Sequence, residues 1–279
     1  MQDLKGKTAV VFGASSGIGL ALAQELAAEG MNLVVVSSIT ERIERAAGLL
    51  REGGATVVAA TCDVARFEEV AAVADLARRT FGEVDLVCNN AGVTTLGPLA
   101  EHTNDDWKWL IDVNLMGVVH GVNAFLPRMI ERGAGHICNT GSPTAFMPDA
   151  FVGHGPYPAI KAAVAAYTTS LRNEVKGQGV EVSLMLPSGV ASDIMRGAAL
   201  HGPGKPGAFK MALNPDLPAP DPAGRQYTTA EFLARMTVAG IKRNAPVIAA
   251  ASALRPYVRQ YFDRMLAGFD DFADFPEAT

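Results

Sequence analysis

The sequence predicts an α/β fold, a doubly wound parallel sheet with helices on both faces. Three observations predict it. Short apolar runs rich in β-branched residues recur through the first two thirds of the chain, and longer stretches with apolar residues at helical spacing lie between them. A cluster of glycines sits at the first junction between such a run and such a stretch. Strands of this kind, alternating with helices, are covered on both faces and therefore run parallel.

The elements follow in order. Residues 8–12 form an apolar strand, and after the glycines Ile18, Leu20, Leu22 and Leu26 give a helix that Gly30 ends. Residues 33–36 make a second buried strand, and 40–50 return to helical spacing through Ile43, Ala46, Ala47 and Leu50. The alternation repeats as strand 56–62, helix 67–81, strand 84–88, one long helix 105–132 and strand 136–140. A helix from 157 to 176 and a strand over 180–186 complete the regular part. Residues 202–222 then hold six of the sixteen prolines, which excludes a helix interior or a central strand and reads as a loop over a pocket. Thr228-x-x-Glu231 reads as a capping box opening a helix to 243, followed by a short strand at 246–250, a helix at 254–269 and an acidic tail.

Length and composition narrow the class. The 279 residues fit one large α/β domain. Within a single domain of 1–279, residues 1–192 are expected to form the cofactor-binding and catalytic core, and 193–279 a substrate-binding lid with C-terminal helices. With 49% hydrophobic residues and a net charge of −5, the chain is neither disordered nor electrostatically suited to nucleic acid or anionic lipid. Cys62, Cys88 and Cys138 lack C-x-x-C spacing and read as buried thiols in a reducing compartment. Glycines and serines interrupt the uncharged stretch 8–24, unlike a signal peptide. No run of ~18 apolar residues predicts a membrane span, and a cytoplasmic location is expected. His102, His120, His136 and His201 have no ligand-like spacing, so no metal site is predicted. His154, three residues before Tyr157 and between glycines, reads as solvated in preference to a ligand contact, and Trp107 and Trp109 as packing and surface residues. Phe146, Met147, Phe151, Phe209 and Met211 read as either pocket lining or core.

Two motifs carry chemistry. Gly13-Ala-Ser15-Ser16-Gly17-Ile18-Gly19 lies between a strand and a helix, where glycines allow a tight turn and close backbone approach and the helix offers free N–H groups to a pyrophosphate. This context makes the fold Rossmann-type and the site nucleotide-binding. The acid that binds the ribose 2′-hydroxyl of NAD usually ends the second strand, about 20 residues on. Ser37 stands there, Ser38 follows, and Arg42 lies close. Loss of the carboxylate removes repulsion of a 2′-phosphate and points to NADP, with NAD still open. The second motif is Tyr157-Pro-Ala-Ile-Lys161, a phenol and an ammonium one turn apart on one helical face. A nearby cation favours the phenolate, and bringing a tyrosine from pKa ~10 to ~7 takes about 4 kcal/mol.

Taken together, GASSGIG (13–19), CDV (62–64), NNAG (89–92), VN (113–114), GS (141–142), YPAIK (157–161) and PSGVAS (187–192) resemble the short-chain dehydrogenase/reductase family in its single-domain branch, over residues 4–195. The resemblance implies an enzyme: an NAD(P)-dependent dehydrogenase/reductase acting on CH–OH groups. Tyr157 is the implied general acid/base, Lys161 the residue that holds the nicotinamide ribose and depresses the tyrosine pKa, Ser142 the hydrogen-bond donor to the substrate oxygen, and Asn114 the holder of a relay water. It also implies Asp63 and Val64 around adenine, Asn90 near a ribose, Val190 at the carboxamide, and a homodimer or homotetramer. Phe12, Ser188 and Ser192 depart from the usual threonine, glycine and threonine, and Pro158 follows the tyrosine directly. Ser142 and Tyr157 are fifteen residues apart, so the extra residues within 146–156 are expected to reshape the pocket rim. The C-terminal layout is similar to bacterial enzymes acting on large aryl alcohols, including lignin Cα-dehydrogenases. The reading is therefore an oxidoreductase interconverting a secondary alcohol and a ketone on a bulky or aromatic small molecule. The rivals are a nucleotide-binding regulator without turnover and an NAD-dependent epimerase or dehydratase.

Overall fold

The computed structural model describes residues 1–187, 189–190, 194, 212–217, 227–250 and 252–270. Seven parallel strands form one sheet: β1 (Thr8–Phe12), β2 (Asn32–Ser37), β3 (Val57–Thr61), β4 (Leu86–Asn89), β5 (Gly135–Thr140), β6 (Val180–Leu186) and β7 (Val247–Ala249). Their spatial order is β7-β6-β5-β4-β1-β2-β3. The order reverses between β1 and β4, and ligands of open α/β sheets bind at such a switch point, outside the carboxyl ends of the strands.

Alternation along each strand divides the core into two layers. Val11, Leu33, Val35 and Leu86 face α1 (Gly17–Ala28) and α2 (Thr40–Glu52), packing with Leu22, Leu26 and Ile43. Val10, Phe12, Val34 and Val87 point the other way, toward Val70 and Val73 of α3 (Phe67–Phe81). The helix read as one piece over 105–132 is two: α4 (Asn104–Ile111) and α5 (Gly117–Arg132), joined by a π turn at Asp112–Met116. Gly117 N–H bonds Asp112 O, five residues back. Asn114 Nδ2 donates to Leu110 O at 3.0 Å, competing with the backbone ladder for that carbonyl. Among the described residues, 104–132 is the one stretch long and apolar enough by composition to cross a membrane. Here Val118, Val122, Phe125 and Met129 are buried against the second layer, as in a core helix. Phe12, the departure before the glycines, packs edge-on against Phe125 at 6.3 Å between centroids.

α6 (Tyr157–Glu174) ends two residues earlier than expected. α7 (Ala230–Lys242) is capped one residue later than read from the sequence: Thr229 accepts from Phe232 N at 3.1 Å, whereas Thr228 is held extended by parallel pairing with Val190. α8 (Arg255–Asp270) closes the described chain. Ser188, Ser192, Phe209, Met211, most of the proline-rich 202–222 segment and the tail beyond Asp270 lie outside the described residues. Cys62, Cys88 and Cys138 are free and buried, as expected.

Candidate active site

A cleft of about 1080 Å³ opens at the carboxyl ends of β1, β4 and β5. It gathers residues from every motif named above. The glycine turn forms one end. Gly13 lies against Ala91, where a Cβ would come within 2.8 Å of its Cα, and a Cβ on Gly19 would fall 2.1 Å from Gly13 O. Only glycine permits this packing, which brings the start of α1 down onto the turn. Ser16 stands at the N-cap without a side-chain cap, so the first N–H groups of α1 are left for a ligand. Ser15, Gly17 and Ile18 line the cleft beside it.

Around the turn, Asn90 Nδ2 reaches Phe12 O and Gly13 O, each at 3.4 Å, and its Oδ1 accepts from Thr140 Oγ1 at 3.3 Å. One amide therefore ties the ends of β1, β4 and β5. At the end of β2, where no carboxylate stands, Ser37 Oγ donates to Ser15 Oγ at 3.1 Å, and Ser38 and Arg42 line the cleft. Asp63 and Val64 follow β3 into the same wall, with Val64 O held by the His120 ring at 2.9 Å. Val190 borders the other end.

Deeper in the cleft Ser142, Tyr157 and Lys161 converge. Lys161 is 2% exposed; its Nζ donates to Thr140 O at 2.8 Å and lies 5.6 Å from the Tyr157 ring centroid. Burial pulls the Lys161 ammonium down to about 8. Burial also pushes the Tyr157 phenol up to about 12, against a smaller lowering by its hydrogen bond with Ser142. In the protein alone desolvation sets the direction of this shift, and the tyrosine holds its proton. Ser142 Oγ also bonds Thr144 Oγ1 at 2.8 Å, which fixes the hydroxyl on β5's exit. Asn114 does not line the cleft. It is fully buried behind it, with Nδ2 donating to Val93 O and Leu110 O at 3.0 Å and Oδ1 accepting from Val93 N at 3.2 Å. Among the described residues no cluster of three potential metal ligands occurs.

A profile of the short chain dehydrogenase family matches residues 7–201. The chain belongs to that family. As a short-chain dehydrogenase it is an oxidoreductase acting on a CH–OH group. The C alpha-dehydrogenase of Sphingobium sp. strain SYK-6 is 31% identical over 282 residues, spanning 100% of this chain and 92% of that protein. A short-chain dehydrogenase/reductase from Burkholderia phymatum, solved in complex with NAD, superimposes with a TM-score of 0.84 at 31% identity, over 96% of this chain and 97% of that one. A metagenomic short-chain oxidoreductase in complex with NADP gives a TM-score of 0.62 at 33% identity, over 67% of this chain and 84% of that one.

Some residues of this short-chain dehydrogenase site escaped the sequence reading. His154, read as solvated, is half-buried and stacks on the Tyr157 ring, 4.9 Å between centroids and 21° between planes. Trp109, read as a packing and surface residue, and Tyr257, which drew no attention, both line the cleft. They come from α4 and α8, and only the fold brings them to the pocket. Met147 and Phe151 resolve as lining, and Met147, Ala150 and Tyr257 pack as one apolar cluster. The Asp149–Arg264 ion pair and the Phe146–Phe262 ring contact hold α8 against this rim.

Proposed function

We propose that the protein is an NADP-preferring oxidoreductase that interconverts a secondary alcohol and a ketone on a bulky or aromatic substrate. The observation that carries this reading is the convergence of Ser142, Tyr157 and Lys161 in one cleft with the glycine turn and the uncapped start of α1. The donor set fits a dinucleotide: free N–H groups and serine hydroxyls for the pyrophosphate, Asp63 and Val64 for the base, Asn90 and Lys161 for the nicotinamide ribose, and Val190 for the carboxamide. Ser38 and Arg42, with no carboxylate at the end of β2, favour a 2′-phosphate. Relatives solved with NAD and with NADP support a nicotinamide cofactor. When bound, such a cofactor supplies the hydride donor or acceptor and, in its oxidised form, a positive charge near the phenol.

In the reductive direction Tyr157 donates its proton to the carbonyl oxygen, and Ser142 donates a hydrogen bond to the same oxygen as charge develops there. In the oxidative direction the phenolate accepts the carbinol proton. Lys161 stabilises that phenolate and holds a ribose hydroxyl. Asn114 acts from behind: its amide fixes Val93 and the π turn, and this reading gives its remaining Oδ1 lone pair to a relay water. Residues 252–270 serve as part of the substrate wall. Trp109, Met147, Phe151 and Tyr257 give that wall its apolar, aromatic character, which supports a bulky aryl substrate, as does the full-length similarity to a Cα-dehydrogenase.

The test follows NADPH and NADH absorbance with small and bulky aryl ketones. The expected result is faster turnover with NADPH and with bulky ketones. In Tyr157→Phe turnover falls by roughly 10³-fold with dinucleotide binding retained. Undiminished turnover in that variant would remove the assignment of Tyr157.

A further inference from the structure

Four histidines lie among the described residues, and three have an evident partner. His102 contacts Pro98 O at 2.9 Å and Thr95 Oγ1 at 3.0 Å, His120 contacts Val64 O, and His136 contacts Ser183 Oγ at 2.9 Å. His154 differs: neither ring nitrogen is hydrogen-bonded within the described residues. Its Nδ1 is buried without a partner, and the residue lines the cleft, which leaves Nε2 as the nitrogen to offer a ligand. The ring is nevertheless firmly mounted. It stacks on Tyr157, and its other flank meets the Phe151 ring edge-on at 6.1 Å. Its backbone pairs with Gly97, and Gly97 N donates to Gly153 O at 3.0 Å. Gly155 has φ +57 and packs so tightly on His102 that a Cβ would lie 2.6 Å from the imidazole. The doubly bonded His102 thus braces the loop that presents His154.

We propose that His154 is a specificity-determining residue whose Nε2 donates a hydrogen bond to a second oxygen function carried by the substrate next to the reacting carbinol carbon. This rests on the reading that Tyr157 and Ser142 engage the carbinol oxygen. The imidazole stacks beside the Tyr157 ring in the same cleft, next to the group that engages that oxygen. The proton belongs on Nε2 because a proton on buried Nδ1 would be an N–H donor without an acceptor, the costlier arrangement. Burial also holds the imidazole down to about 4, so it meets the substrate as a neutral donor and not as a cation. A ring needed for packing alone would be served by phenylalanine.

The test compares benzoin methyl ether with deoxybenzoin, two bulky ketones that differ in one ether oxygen beside the carbonyl. Calorimetric affinity is read in the presence of NADP⁺, a dead-end mixture because neither ketone carries an oxidisable carbinol, and kcat/KM is read separately with NADPH. The wild type is expected to favour benzoin methyl ether. His154→Phe, which keeps a stacked ring, should shrink that preference by about tenfold in binding, and His154→Gln, which keeps a donor, should restore part of it. Equal losses on both ketones would mean a packing role and overturn the inference, as would a preference that is absent in the wild type or unmoved by the substitutions. A His154-dependent binding preference without reduction of either ketone would support the inference and count against the proposed reaction alone.

Discussion

At the scale of single residues, the cleft holds a phenol that keeps its proton and an ammonium that gives up its own more readily than an exposed lysine. Both shifts come from burial, which disfavours charge on either group. A neutral phenol is already the form needed to reduce a ketone, whereas oxidation of an alcohol needs the phenolate. The two directions should therefore respond differently to pH. With Tyr157 near 12 in the free protein, kcat/KM for the ketone should stay flat through neutrality, while kcat/KM for the alcohol should rise with pH through at least about pH 9. Initial rates in both directions across about pH 6–10 measure this. An alcohol profile independent of pH would show that a different group takes the proton. Ser142 has a smaller share: Ser142→Ala removes one donor to the developing oxyanion and should lower kcat by about 10²-fold with little change in dinucleotide affinity, as stopped-flow single turnovers would show. The tyrosine and lysine lie together because their spacing sets them one helical turn apart, whereas the serine, whose role the family resemblance implied, joins them only through the fold. The sign of the tyrosine shift is not legible in the sequence, because desolvation depends on what surrounds the ring.

At the scale of elements, the π turn between α4 and α5 is the feature that the apolar spacing concealed. Leu110, Val118, Val122 and Phe125 continue a plausible stripe across it, so one long helix was the natural reading. The signal available was a buried asparagine in the middle of that stripe. Its amide satisfies Val93 N, Val93 O and Leu110 O together, so Asn114→Ala would leave three main-chain groups without these partners. The expected cost is about 2–4 kcal/mol in urea unfolding, with a fall in kcat as the turn reverts toward regular helix. Unchanged stability would mean that water replaces the amide freely. The capping of α7 has a similar lesson. Two adjacent threonines both suit the motif, and the pairing of Thr228 with Val190, a tertiary fact, gives the cap to Thr229. His154 and Trp109 were misread and Tyr257 was missed for the same reason: the loop before α6, α4 and α8 meet only in the folded chain.

At the scale of the whole molecule, strand identities and the parallel class followed from the alternating pattern, whereas the strand order is a tertiary fact that right-handed connections narrow without fixing. The switch point between β1 and β4 then sets where the motifs gather. What the pattern did not reveal is how polar groups sit inside this sheet. His136 in β5 is fully buried, and Ser183 Oγ in β6 accepts a hydrogen bond from its Nε2–H while donating its own hydroxyl to Ala245 O at 2.6 Å. Nδ1 is left as a buried lone pair without a partner, so a second proton there would find no acceptor. Burial chiefly, with a smaller push from the N-terminus and Arg172, holds this imidazole down to about 3. The unfolded chain binds a proton near pH 6.5 and the folded one does not, so the stability contributed by neutral His136 is complete above about pH 6.5 and is lost as pH falls toward about 3. At about pH 5 the loss from this residue is on the order of 2 kcal/mol. His154 acts in the same direction. Urea midpoints at about pH 7.5 and about pH 5 should therefore differ clearly in the wild type and by markedly less in His136→Gln, whose amide can still donate to Ser183. An equal difference in both proteins would locate the acid sensitivity in other groups and leave the centre of the sheet without a part in it.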